Sequence, residues 1–214
     1  MNISMDTYLV TQSDLSGDRS TTEVVEAAVD GGVDFVQLRE KHATARERYV
    51  LASDVRELTA EAGVPFVVND RVDIAAAVGA DGVHLGDDDL PIAAARDQLG
   101  RDAIVGRSVS TVEAALAAED AGADYLGVGA VFATDSKDID DDEYEIGVER
   151  VEAVADAVSI PIVGIGGITA SNAADVVAAG ADGVAVITEI TGADDPEAAT
   201  RQLATAVEDG RDRR

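Results

Sequence analysis

The chain has no cysteine, only two lysines, and 16 cationic side chains against 43 carboxylates; each shortage removes a class of chemistry. Without cysteine there is no disulfide, no thiolate nucleophile and no zinc–thiolate site. A formal charge of −27 over 214 residues repels phosphate at long range, which makes nucleic acid and anionic membranes poor partners. No run of about 18 apolar residues occurs, and Met1 to Val10 lacks a basic n-region and an apolar h-region. The reading is a soluble, unexported, cytoplasmic protein.

What is present is small and acidic. A hydrophobic share of 46% is ordinary for a folded chain and argues against disorder, and the length suits one large core. Alanine (38) and valine (29) supply about two-thirds of the apolar residues, and the cations are 14 arginines plus Lys41 and Lys137. An acidic, lysine-poor surface suits molar salt, where carboxylates hold water and cations and like-charge repulsion is screened to a few ångströms. A surface that has shed its lysines makes the two that remain candidates for function.

Short Val/Ile-rich runs alternate with Ala-rich stretches of helical period from end to end. Strands are expected at Tyr8–Val10, Asp34–Arg39, Pro65–Asn69, Gly82–Leu85, Ala103–Arg107, Tyr125–Val131, Pro161–Ile165 and Gly183–Ile187. Helices are expected near Thr21–Asp30, Ala45–Ala62, Arg71–Val78, Pro91–Leu99, Thr111–Ala121, Val148–Ala157, Ser171–Ala179 and Asp195–Glu208. Thr21 and Thr111 read as capping hydroxyls, and Asp195-Pro196 places proline at a first helical position. Gly32-Val33-Asp34, Gly79-Ala80-Asp81, Gly122-Ala123-Asp124 and Gly180-Ala181-Asp182 each close a helix and open an even-numbered strand, with glycine as the helix C-cap. Eight βα units predict an α/β fold: a (β/α)8 TIM barrel forming a single compact domain over residues 1–214, with a doubly wound sheet as the alternative.

In such a barrel the chemistry lies at the C-terminal strand ends. On the second strand the period of two puts Gln37, Arg39 and Lys41 on one face and Val36 and Leu38 on the other. The polar face then forms an anion cradle, with arginine gripping a phosphate bidentately and lysine acting as a point charge. The alternative is a fraying edge with Lys41 paired to Glu40 or Asp34. Strand three ends Asn69-Asp70, and strand four runs into Gly86-Asp87-Asp88-Asp89-Leu90-Pro91, so carboxylates on adjacent strand ends can converge on Mg²⁺. Otherwise the Asp run is a solvated, helix-capping loop. Ser108 brings a hydroxyl to the same rim, or else caps the next helix. Thr134 to Lys137 forms a small-polar loop able to close over developing charge. Gly164 to Ile168 with Ile187-Thr188 offers a second anion site built from main-chain donors. His42 and His84 receive no role; on an apolar strand His84 reads as a satisfied core residue. The residues alone thus point to a Mg²⁺–diphosphate site and a monophosphate site in one mouth, and so to group transfer between two phosphorylated small molecules.

At these motifs the chain resembles the thiamine-phosphate synthase family over nearly its whole length: Gln37 to Lys41, Asn69-Asp70, Gly82 to Gly86 through Asp89-Leu90-Pro91, Gly106-Arg107-Ser108, Thr134 to Lys137, Gly164 to Ile168 and Ile187-Thr188. The resemblance implies joining 4-amino-5-hydroxymethyl-2-methylpyrimidine diphosphate to a thiazole phosphate. It implies that Gln37, Arg39, Lys41, Asn69, Ser108 and Lys137 hold the pyrimidine diphosphate, with Leu38 and Glu40 in the same binding stretch. Asp70 and Asp89 would ligate Mg²⁺. Thr134, Ser136, Gly167, Ile187 and Thr188 would hold the thiazole phosphate, and Asp135 would belong to the substrate-binding set. Arg39, Lys41, Ser108 and Lys137 would act on the departing diphosphate. Asp87 stands where the family usually has glutamine, which adds negative charge beside the metal. A thiazole tautomerase on the same barrel and a non-catalytic phosphate binder are the competing readings; homo-oligomerisation stays open.

Overall fold

Eight strands of four to six residues, each followed by a helix, account for nearly all the regular structure among residues 4–134 and 146–214, which the computed structural model describes. The strands are β1 (Thr7–Val10), β2 (Phe35–Leu38), β3 (Phe66–Asn69), β4 (Gly82–Leu85), β5 (Ile104–Val109), β6 (Tyr125–Gly129), β7 (Ile162–Ile165) and β8 (Gly183–Val186). All pair in parallel in sequence order, and β8 pairs back onto β1, giving a closed barrel. Around it lie α1 (Thr21–Asp30), α2 (Ala45–Ala62), α3 (Val72–Val78), α4 (Ile92–Leu99), α5 (Val112–Asp120), α6 (Gly147–Ala155), α7 (Ala173–Ala178), a single turn α8 (Thr188–Thr191) and α9 (Pro196–Arg211). This is the expected TIM barrel. No helix among the described residues is long and apolar enough to cross a membrane.

The period of two divides the core into two layers. Tyr8, Phe35, Val67, Ile104, Tyr125 and Val163 point inward and pack on one another inside the barrel. Their neighbours in sequence, such as Leu9, Val36, Phe66, Val68 and Leu126, point outward against the helices. Large rings fit inside such a small barrel only where facing positions are bare. A Cβ at Gly106 would sit 2.2 Å from the Tyr125 ring. Gly106→Ala is therefore expected to cost about 1–3 kcal/mol, the usual penalty of overpacking, read by denaturant unfolding.

The four Gly-X-Asp repeats do more than end helices. Gly32, Gly79, Gly122 and Gly180 all take positive φ, as a left-handed helix exit requires. Each following aspartate then turns its carboxylate onto the preceding odd strand. Asp34 accepts from the Thr7 amide at 3.0 Å, Asp81 from Phe66 at 2.8 Å, Asp124 from Val105 at 2.7 Å and Asp182 from Ile162 at 2.9 Å. Arg56 and Arg96 pair with Asp81 and Asp124 from outside. The strands are thus stitched in pairs across the floor of the barrel.

Some boundaries differ from expectation. Helix α1 is capped by Ser20, in a reciprocal pair with Glu23, and the Thr21 hydroxyl is buried and donates to Glu40 instead. Thr111 and Asp195 do cap α5 and α9. Helix α9 continues past Glu208 because Gly210 is no stop signal: a Cβ there would lie 2.6 Å from the Ala174 carbonyl, so the glycine admits α7 at close range. Strand β6 ends at Gly129 rather than Val131, β5 extends to Val109, and α7 starts at Ala173 rather than Ser171.

Candidate active site

The strand ends open into a cavity of about 140 Å³, whose walls include Gln37, Arg39, Lys41, Asn69, Asp70 and Ser108. Parity on β2 works as expected: Gln37, Arg39 and Lys41 face the mouth, while Val36 and Leu38 are buried in the outer layer. Leu38 and Glu40 do not line this cavity. Glu40 is buried and accepts from the Thr11 hydroxyl (2.9 Å), the Thr21 hydroxyl (3.1 Å) and the Ser13 amide (2.9 Å). It therefore clamps β1, α1 and the end of β2 together rather than pairing with Lys41. The same Thr11 hydroxyl accepts from the Arg39 amide at 3.1 Å, and Arg39 Nη1 donates to Gln12 Oε1 at 2.6 Å. The guanidinium is thereby oriented from behind, and only 6% of the residue is exposed.

Across the mouth, Asp70 sits in the left-handed region with φ 62, a conformation that aspartate tolerates better than most residues. Its amide donates to the His84 carbonyl at 2.9 Å. Its carboxyl shares a hydrogen bond with that of Asp89, and Asp89 Oδ2 also accepts from the Gly86 amide at 2.6 Å. Burial, followed by the Asp89 carboxylate, pushes the Asp70 carboxyl up to about 6, against the opposing pull of Lys41 and Arg39. Two carboxyls forced together in this way make a hard-oxygen pair short of positive charge. That fits a magnesium ion, which takes one or two protein carboxylates and fills its remaining positions with water and phosphate oxygens. Asp87, in contrast, is turned out to solvent and ion-paired with Arg107 at 2.5 Å, so its charge is answered away from the pair.

A second cavity of about 450 Å³ shares Ile165 and Ala185 with the first, and Thr134, Gly167, Ile187 and Thr188 line it. Gly167 adopts φ 61, and a Cβ there would lie 2.4 Å from the Ala133 carbonyl. The loop after β7 can close this tightly only with glycine at that position. Thr188 opens α8, a turn the sequence reading did not anticipate. Asp135, Ser136 and Lys137 lie outside the described residues.

His84, expected only as a satisfied core residue, also lines the first cavity, with Nε2 2.9 Å from Ser108 Oγ. Ser108 is thus engaged by the imidazole, and α5 has Thr111 for its cap. Parity could have found this: Gly82 and His84 alternate with outward Val83 and Leu85, so the imidazole had to face the interior.

The family model for thiamine monophosphate synthase matches residues 7–190, most of the chain. The chain belongs to that family. The thiamine-phosphate synthase of Natronomonas pharaonis is 69% identical over 94% of this chain and 94% of its own. That of Haloarcula marismortui is 67% identical over 98% and 100%. Among solved structures, thiamine phosphate pyrophosphorylase from Pyrococcus furiosus superposes with a TM-score of 0.87 at 41% identity, covering 97% of this chain and 98% of that one. Membership of the thiamine monophosphate synthase family makes the chain a transferase, and its relatives in halophilic archaea accord with the acidic, lysine-poor composition.

Proposed function

We propose that the chain condenses 4-amino-5-hydroxymethyl-2-methylpyrimidine diphosphate with 4-methyl-5-(2-phosphooxyethyl)thiazole, or its carboxylated tautomer, giving thiamine phosphate and diphosphate. One observation carries this reading: cations (Arg39, Lys41) and Asp70, with Asp89 beside it, meet at one cavity that shares a wall with a second, glycine-lined one. That arrangement suits a diphosphate ester in the first cavity and a monophosphate in the second, with their reacting ends meeting at Ile165 and Ala185.

Asp70 and Asp89 would hold the magnesium ion, which would supply charge neutralisation on the diphosphate. Arg39 and Lys41 draw on the same oxygens from the opposite side, and Lys137 is assigned to them by the family resemblance. As the C–O bond lengthens, the aminopyrimidine ring donates electrons to the exocyclic methylene, and its positive charge grows as negative charge gathers on the leaving group. Gln37 and Asn69 hold the ring, and the thiazole nitrogen is positioned to attack the methylene. No side-chain nucleophile is needed, so the lack of cysteine costs nothing. The Mg²⁺ requirement, the dissociative course and the residue roles are all part of the proposal.

The test is direct: incubate the purified protein with both heterocyclic phosphates, with and without Mg²⁺, and measure thiamine phosphate. Product only with Mg²⁺ supports the reading. No product, or interconversion of thiazole forms alone, overturns it in favour of a binder or a tautomerase.

The proton on Asp70 gives a second check. A folded-state value raised to about 6 means the native chain holds this proton more tightly than the unfolded chain does. Between roughly pH 4 and 6 the metal-free fold should therefore lose stability as pH rises. Magnesium needs the carboxylate, so protons compete with it below about pH 6. The rise in Tm caused by a fixed Mg²⁺ concentration, read by calorimetry, should be clearly larger at pH 7.5 than at pH 5.

A further inference from the structure

Five side chains from five strands form one unbroken hydrogen-bonded line through the barrel interior. Gln37 Nε2 (β2) donates to Tyr8 Oη (β1). Tyr8 Oη lies 2.8 Å from Tyr125 Oη (β6), and Tyr125 Oη lies 2.9 Å from His84 Nδ1 (β4). His84 Nε2 lies 2.9 Å from Ser108 Oγ (β5). The line starts and ends at residues that face the cavity, and passes through rings almost wholly removed from water.

Counting protons gives the line a direction. Each hydroxyl owns one proton, and a neutral imidazole has one donor and one acceptor nitrogen. Because Gln37 already donates to the Tyr8 oxygen, the Tyr8 proton goes to Tyr125. The reverse arrangement would leave the buried Tyr8 hydroxyl without an acceptor along the line, a cost that buried donors rarely bear. Tyr125 must then donate to His84 Nδ1. The imidazole carries its proton on Nε2 and donates to Ser108 Oγ, so the Ser108 proton is the one left over. Burial pushes both phenols well above their ordinary range, so they remain donors throughout. Bonds aligned head to tail also polarise one another in the same sense. The line is sterically provided for as well: a Cβ at Gly106 would strike Tyr125, and one at Gly127 would come within 3.1 Å of His84 Cε1.

We propose that Gln37, Tyr8, Tyr125 and His84 form a one-way hydrogen-bond chain that locks His84 as the Nε2–H tautomer and makes Ser108 a hydroxyl donor into the mouth, aimed at an oxygen of the departing diphosphate. The last step rests on the function proposed above; the direction of the chain does not. In this proposal Tyr8, Tyr125 and His84 act through Ser108 as positioning residues, although Tyr8 and His84 also line the cavity.

Two histidines in the whole chain make the measurement simple. The protein is labelled with ¹⁵N-histidine, and the exposed His42 is identified by His42→Gln. In the substrate-free enzyme, His84 is expected to show a protonated Nε2 and a bare Nδ1. A proton on Nδ1, or on both nitrogens at neutral pH, overturns the proposal. In Gln37→Glu the carboxylate accepts from Tyr8 and reverses the line, so the proton should move to Nδ1; an unchanged His84 overturns the directing role of Gln37. Tyr8→Phe removes one link far from Ser108. Its kcat should fall about tenfold, the worth of one misdirected hydrogen bond to charge, while KM for both substrates stays within twofold. Unchanged kcat in a folded Tyr8→Phe protein counts against the chain; should that variant not fold, the wild-type tautomer decides alone. Because the spectrum needs no substrate, a blank in the product assay overturns the proposed function while the chain stands on its spectrum.

Discussion

Asp70→Asn should lose Mg²⁺-dependent diphosphate release by about a thousandfold, the upper range for deleting one preorganised charge-stabilising group. Asparagine is chosen because it tolerates the left-handed backbone at φ 62, where alanine would add strain of its own. The substitution also removes a carboxyl that burial and Asp89 hold near 6. Loss of that repulsion means the metal-free Tm should stay level or rise, so lost turnover cannot be blamed on unfolding. The checks are a diphosphate-release assay over a Mg²⁺ titration and calorimetry on the same sample. Turnover undiminished in this variant removes Asp70 from the metal site.

The second large effect concerns salt. A charge of −27 is spread over a body with 43 carboxylates, and arginine carries the Lys/Arg ion pairs among the described residues, for example Arg211 with Asp6 and Arg213 with Asp175. At 0.1 M ionic strength repulsion reaches about 10 Å, far enough to couple neighbouring helices; at 1 M it reaches about 3 Å. Raising KCl from 0.1 to 2 M should therefore raise Tm by more than about 10 °C, since each kcal/mol moves a domain of this size by roughly 2–4 °C. Thermal unfolding across a KCl series measures this. A flat series would mean the acid excess is tolerated without screening, and the composition then says nothing of salt.

What was legible in the sequence was whatever repeats or alternates. Parity along 36–41 placed Gln37, Arg39 and Lys41 in the mouth, and eight runs of small apolar residues specified the barrel because each run suits only a strand buried on both faces. Contacts between distant segments were the illegible part. The Ser20…Glu23 spacing of a capping box marks Ser20 as the cap locally, while the Thr21 hydroxyl is drawn to Glu40, 19 residues on, a contact no local pattern shows. The extension of α9 past Glu208 is another such case: Gly210 lets α7 approach closely, which the local pattern does not show. His84 is, as expected, a satisfied core residue, but its partners Tyr125 and Ser108 come from other strands, so its place in the site is not local information. The same holds for Asp87: its proximity to Asp89 in sequence suggested interference, whereas Arg107 on the next strand draws it away.

The four carboxylate stitches join β1 to β2, β3 to β4, β5 to β6 and β7 to β8, and none of the four spans another seam. The barrel is therefore written in quarters, each carrying its own fastener within its own stretch of chain. A quarter copied in tandem would arrive already fastened, and would need only bare strand edges to join the ring.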